Sequence, residues 1–264
     1  MHLRQATLDE LEIDDRAAVK NVALYRRLEA FLRRIGHRFL IPEGGETLSS
    51  DRTLFLNLTY WSPEAGADVL CEGRLPADVV AHVGWHELCA RRLTRGARPG
   101  AAALFFGEAV ASAFDLYLVG RLLAAAPDSD FITTQVPLMG ECAAEAGVSE
   151  PGFRALLESV AAAPERAFED LRALLFDAAG ALVACPSAPA AQAALEDLAG
   201  RRFAPLLHHY QLSNWILYAR AYAAAPSEAD ARVQEVDRAL REAPDALDWL
   251  DRSWLEPALA EPQA

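Results

Sequence analysis

Apolar residues recur along this chain at two spacings, and the change from one to the other outlines a fold. In residues 17–35, Val19, Val22, Leu24, Leu28, Phe31, Leu32 and Ile35 fall at helical intervals. Arginines fill the opposite face, and Gly36 follows as a helix stop. The pattern then shortens. HRFLIP at 37–42 is a compact apolar run ending at a proline, and in RTLFLNLTYW at 52–61 Leu54, Leu56, Leu58 and Tyr60 alternate with Phe55, Asn57, Thr59 and Trp61. Period-two alternation predicts a strand with one covered face, so 52–61 is expected to pair with 37–42 and to pack beside a helix. A further short strand is predicted at 68–73.

Helical spacing returns at Pro76, which suits a first turn and opens a helix running to about Leu93. RGARPG at 95–100 breaks it, and an almost wholly apolar helix follows from about Ala102 to Ala125. Beyond Pro127, helices are predicted near 136–146, 152–163, 165–179, 188–199, 203–224, 228–242 and 245–256. Ser149 ahead of Pro151, Ser187 ahead of Pro189, and Ser227 with Asp230 three residues on act as start signals. The expected class is α+β, predominantly α: a small antiparallel or mixed sheet, two helices, then a helical bundle. Residues 1–126 and 127–264 form two parts or one continuous domain, since no long linker separates them.

Composition narrows the partners. With 264 residues, 52% hydrophobic and 24% charged, the chain can bury a large core. A net charge of -13 repels phosphate, which argues against nucleic acid and anionic membranes and leaves a small-molecule or peptide substrate, or a protein partner. The first residues lack an apolar leader, and Glu108, Asp115 and Arg121 interrupt the apolar run 101–126, so it is expected to be a buried helix rather than a membrane span. Cys71, Cys89, Cys142 and Cys185 are too scattered for a disulfide framework, and reduced thiols in a cytoplasmic protein are expected.

The chemistry concentrates in residues 79–115. His82 and His86 lie four apart on one predicted helix, about 40° around it and one turn along. Two imidazoles so placed can close on a divalent ion, and Glu108, an isolated acid in the next helix, can supply a third ligand. The donor atoms of all three should then converge to about 3–4 Å of one another. The alternative is two ordinary helix histidines, one facing the core and one at its edge.

The order of a small sheet, an HxxxH helix, a helix bearing an isolated glutamate and a helical C-terminal part resembles the gluzincin branch of the zincin metallopeptidases. The matching residues are His82 and His86 in AHVGWH and Glu108 in FFGEAVASAFD, within residues 50–120. The resemblance implies a zinc ion held by His82, His86 and Glu108. It also implies a hydrolytic activity on peptides or amides, and a Tyr or His from the C-terminal part that stabilises the oxyanion, a role open to Tyr210 or His209. One position departs from the family. Its general-base glutamate directly follows the first histidine, and here that position is Val83, which cannot accept a proton. A second register, HELCA at 86–90, keeps His-Glu but has Ala90 in place of the second histidine.

Glu87 shares a helical stripe with Val83, about 6 Å further along the axis, and is a candidate displaced base. Its plainer reading is a surface partner for Arg91. Cys89 could form a soft metal pair with His86 or be a small buried thiol. Ser112 stands where gluzincins carry the acid that orients the first histidine, and Asp115 shares its face and needs a partner in so apolar a helix. Glu141 and Glu145 are expected to be solvated.

Three functions follow, in this order. The first is a zinc-dependent hydrolase with a non-standard base, the second a zincin-like binding or structural protein without catalysis. The third is a helical non-haem iron oxygenase using His82, His86, Glu108, Asp115 and His208, although the paired Glu-x-x-His signature of dicarboxylate sites is missing. No serine-hydrolase elbow, phosphate-binding loop or dinucleotide glycine signature is present.

Overall fold

Helical spacing finds its partners in the structure, a computed structural model that describes residues 2–43, 47–49, 52–53, 68–225 and 228–261. Three strands form a mixed sheet. β1 (Leu3–Thr7) pairs antiparallel with β3 (Arg38–Pro42), and β3 pairs in parallel with β4 (Asp68–Val69). A second pair, β2 (Glu12–Asp14) and β5 (Arg74–Pro76), is parallel. Most of the 52–61 segment lies outside the described residues, while Arg52 and Thr53 are helical. β1 carries a single buried side chain, Ala6, and owes its strand conformation to β3 rather than to its own polar sequence.

The first predicted helix is two. α1 (Arg16–Val19) stops, Val22 takes extended backbone, and α2 (Ala23–Arg34) begins after it. Asn21 and Val22 are poor helix formers, so the break falls there and both Val19 and Val22 still reach the core. α2 buries Leu28, Phe31 and Leu32 against α3 (Ala77–Thr94). Gly84 allows the close approach, since a Cβ there would sit 3.2 Å from Leu28 Cβ. Pro76 caps α3 from outside instead of occupying its first turn.

α3 and α4 (Ala101–Leu122) form an antiparallel hairpin across the loop 95–100, where Arg95 and Gly96 take positive φ. α4 is long and apolar enough to cross a membrane, yet 78% of its most apolar window is covered by protein. It lies between α3 and α7 (Pro164–Ala184), with Phe105, Phe106 and Phe114 fully buried. Burying each such ring contributes roughly 1.5–3 kcal/mol, which is what allows this helix to carry acids as well.

Around that pair the remaining helices close the fold: α5 (Asp130–Glu145), α6 (Glu150–Ala162), α8 (Ala188–Glu196), α9 (Leu212–Tyr222), α10 (Glu228–Glu242), α11 (Ala246–Leu250) and α12 (Glu256–Ala260). The protein is thus predominantly α with a small mixed sheet, and one hydrophobic core runs unbroken across residue 127. α5 starts six residues before its expected position, capped by Ser129, and tolerates Pro137 inside it. Residues 203–224 are not one helix. A 3-10 segment, Ala204–Tyr210, ends at Gln211 with φ of 48°, and α9 starts afresh. The segment at 245–256 is likewise interrupted, by a π-turn at Asp251–Leu255 between α11 and α12. Ser149 and Ser187 cap their helices as expected, while Ser227 lies outside the described residues.

Candidate metal centre

An antiparallel hairpin brings together residues about equally far from its loop, and the α3–α4 pair does so with three ligand types. His82 and His86 rise one turn apart on α3, and Glu108 faces them from α4. Nε2 of His86 lies 3.2 Å from Nε2 of His82 and 3.4 Å from Oε2 of Glu108, and His82 Nε2 is 3.9 Å from that oxygen. A triangle with these edges has a point about 2 Å from every corner, the length of a zinc–imidazole or zinc–carboxylate bond. His82, His86 and Glu108 therefore form a group that could hold a metal ion.

The far side of His82 is also arranged. Its Nδ1 lies 3.3 Å from Asp115 Oδ2, a contact that holds the ring with Nε2 towards the group. Asp115 thus finds in a histidine one of the partners it needs in so apolar a helix, and Ser112 is a small buried contact residue on α4. The other carboxylate oxygen of Asp115 is buried with no hydrogen-bond partner among the described residues. Asp78, one turn before His82 on α3, adds a third acid.

Charge follows from this arrangement. Burial lowers the pKa of His82, but the hydrogen bond and charge of Asp115, then Glu108 and Asp78, outweigh it and push the imidazole up to about 9. For Glu108, burial works upward and is overcome by His86 and then His82, so its carboxyl is held below the usual value. Burial, reinforced by Asp115, raises Asp78 to about 6. Three carboxylates thus share two imidazoles, a surplus of negative charge that suits a divalent cation.

The group opens into a cleft of about 1600 Å³. Side chains of His82, His86 and Glu108 are about a third exposed to it (31%, 35% and 31%), so a bound ion would keep a position open to a ligand. Val83 lines this cleft beside the histidines. Glu87 lines it too, but accepts a hydrogen bond from Arg91 Nε at 2.9 Å and faces His37 Nδ1 at 3.9 Å. His209 and Tyr210 line the cleft as well, edge to face with ring centres 5.0 Å apart. Neither hydrogen-bonds to the three ligand candidates. Burial lowers the His209 pKa against the pull of Asp115, and burial followed by Asp115 raises that of Tyr210. His208 is exposed, and Cys89 is buried with its thiol pushed up by burial, so neither joins the group.

Several residues of the site and its cleft escape sequence reasoning. Asp78 alone had a signal, standing four before His82 on the same stripe. Tyr218 and Trp215 of α9 line the cleft, and Tyr218 is raised by burial and then by Glu108. His37, its side chain only 8% exposed, sets Nε2 3.6 Å from Asp68 on β4. These come from separate elements, and only the tertiary fold joins them.

Comparisons with protein-family models, curated proteins and solved structures return no match to this chain, so a functional reading rests on the site itself.

Proposed function

We propose that this protein is a zinc-dependent hydrolase of zincin type, acting on a peptide or amide bond. The observation that carries the reading is the convergence of His82 Nε2, His86 Nε2 and Glu108 Oε2 at 3.2–3.9 Å on the wall of an open cleft, with Asp115 behind His82. Two imidazoles, one carboxylate and an open side match the ligand count of catalytic zinc sites. Zinc held there would supply Lewis-acid polarisation of a substrate carbonyl. His82, His86 and Glu108 hold the ion, and Asp115 positions His82. Tyr210 and His209, lining the same cleft, are the candidates to hydrogen-bond the developing oxyanion. Glu87, on the stripe of Val83, is the candidate base.

The same donor set serves mononuclear Fe(II) oxygenases. Engagement of Asp115 by His82 leaves a single free carboxylate ligand, which weighs against a two-iron site. A second reading, a zincin-like protein that binds metal without hydrolysis, is favoured by Val83 at the base position and by the hold of Arg91 on Glu87.

Assaying wild type, Glu87→Gln and Val83→Glu on a peptide library with zinc separates these readings. Hydrolysis by wild type that falls by about 10²–10⁴ in Glu87→Gln supports a displaced base. Silence in wild type with activity in Val83→Glu supports a lapsed enzyme. Silence in all three defeats the hydrolase reading.

A further inference from the structure

The acids lining the cleft are partly buried, while its arginines are exposed. Three arginines line it: Arg38, Arg91 and Arg98. Arg91 is bound to Glu87, and Arg38 donates to the amide oxygen of Gln5 at 2.8 Å. Arg98 differs. Its Nε donates to the Tyr222 carbonyl oxygen at 2.8 Å, and among the described residues its guanidinium ion-pairs with no acid. In a chain of net charge -13 that leaves an oriented and uncompensated cation on the cleft wall.

The position of Arg98 is built, not incidental. The loop 95–100 turns through positive φ at Arg95 and Gly96, and is then tied to the end of α9 by the Ala224 amide donating to Pro99 O at 2.9 Å. Gly100 follows in a bridge to Ala224 and abuts Asp230, whose carboxylate would lie within 2.6 Å of any Cβ there. The guanidinium is therefore anchored through Nε, with Nη1 and Nη2 left as a pair of donors of the kind that clasps a carboxylate. Tyr218 relates this cation to the inner site, because its hydroxyl feels the charges of both Glu108 and Arg98. Arg98, Tyr218 and the ligand triangle thus line one cleft.

We propose that Arg98 is an anion subsite that takes the free carboxylate of a peptide or N-acyl amino acid, whose amide end points to His82, His86 and Glu108. The proposal rests on the hydrolase reading only for the placement of that amide end. It narrows the substrate class to amides carrying a nearby carboxylate.

Binding of N-acetylphenylalanine and of its uncharged amide, N-acetylphenylalaninamide, tests this by calorimetry or ligand-observed NMR with zinc-loaded and metal-free protein. Wild type should prefer the acid by about ten- to a hundredfold, the worth of charge-assisted hydrogen bonds. Arg98→Ala should bind acid and amide alike, and Arg98→Lys should keep part of the preference. Zinc stoichiometry and circular dichroism on the same samples report folding. A protein that binds no zinc but keeps an Arg98-dependent preference loses the hydrolase reading and retains the subsite. Equal binding of acid and amide by wild type, a preference that survives Arg98→Ala, or no binding of either ligand overturns the subsite.

Discussion

Among the described residues, two clusters of charge, one centred on Arg172 and one on His82, are built to opposite rules. On α7, Arg172 is fully buried, bonded by Nε and Nη2 to both oxygens of Glu169 at 2.7 Å, and set over the Phe106 ring at 5.5 Å. Its Nη1 meets Asp237 Oδ1 at 2.8 Å, an ion pair whose angles fall short of a hydrogen bond. Arg241 joins Asp237 to Asp177, which also takes Arg201, so every acid in this network has an arginine. The His82–His86–Glu108 corner has acids in surplus, a buried carboxylate oxygen without a partner, and an open side. A charge-balanced cluster centred on a fully buried arginine holds helices together. An unbalanced, open one costs stability unless something cationic arrives, which is the mark of a binding site.

Breaking the Arg172 cluster should give the largest effect. Arg172→Ala strands Glu169 and leaves Asp237 with Arg241 alone, and should cost about 3–5 kcal/mol in urea unfolding. A loss below about 1 kcal/mol would mean the network behaves as a surface pair, and the contrast drawn above would fail.

The open cluster should respond through metal affinity instead. Asp115→Asn keeps the shape of the side chain that orients His82 but removes its charge. It should weaken zinc binding about 10–100-fold while the helical circular dichroism of the metal-free protein is retained. Unchanged affinity would show that Asp115 does not direct His82.

A smaller effect concerns pH. In the metal-free protein the His82 pKa stands at about 9 against an ordinary 6.5, so the folded state holds a proton that the unfolded chain releases. Stability from that imidazolium is present in full below pH 6.5 and is lost as pH rises to about 9. Asp78, raised to about 6, acts in the same direction at lower pH, because ionising it disfavours the fold. Denaturation of metal-free protein should therefore shift to lower urea from pH 6.5 to 9, and a bound divalent ion that displaces the proton should flatten the trend. A flat profile without metal would show that Asp115 and Glu108 do not charge His82.

Much of this contrast is visible in the sequence where one helix suffices to reveal it. The HxxxH spacing and the lone Glu108 mark α3 and α4 because both facts are local, and the breaker at 95–100 implies the hairpin that joins them. The choice of Asp115 over Ser112 is not local. Both follow Glu108 on one stripe, four and seven residues on, and the packing of α4 on α3 selects the one that meets His82. Likewise nothing in LRQAT announces a strand until β3 lies beside it, and nothing in PLLHHYQLSNWILYARAY announces the turn at Gln211 that separates Tyr210 from Tyr218. Arg98 reads as part of a breaker loop, and its meaning comes from the Tyr222 carbonyl, 124 residues away.

Metal analysis of the purified protein, with zinc titration of wild type, His82→Ala and Glu108→Ala, tests the central claim most directly. One zinc per chain in wild type, lost in both variants while their helical circular dichroism is retained, is the predicted result. Wild type that binds no metal, or variants that bind it as wild type does, would contradict the claim that His82, His86 and Glu108 form a metal centre.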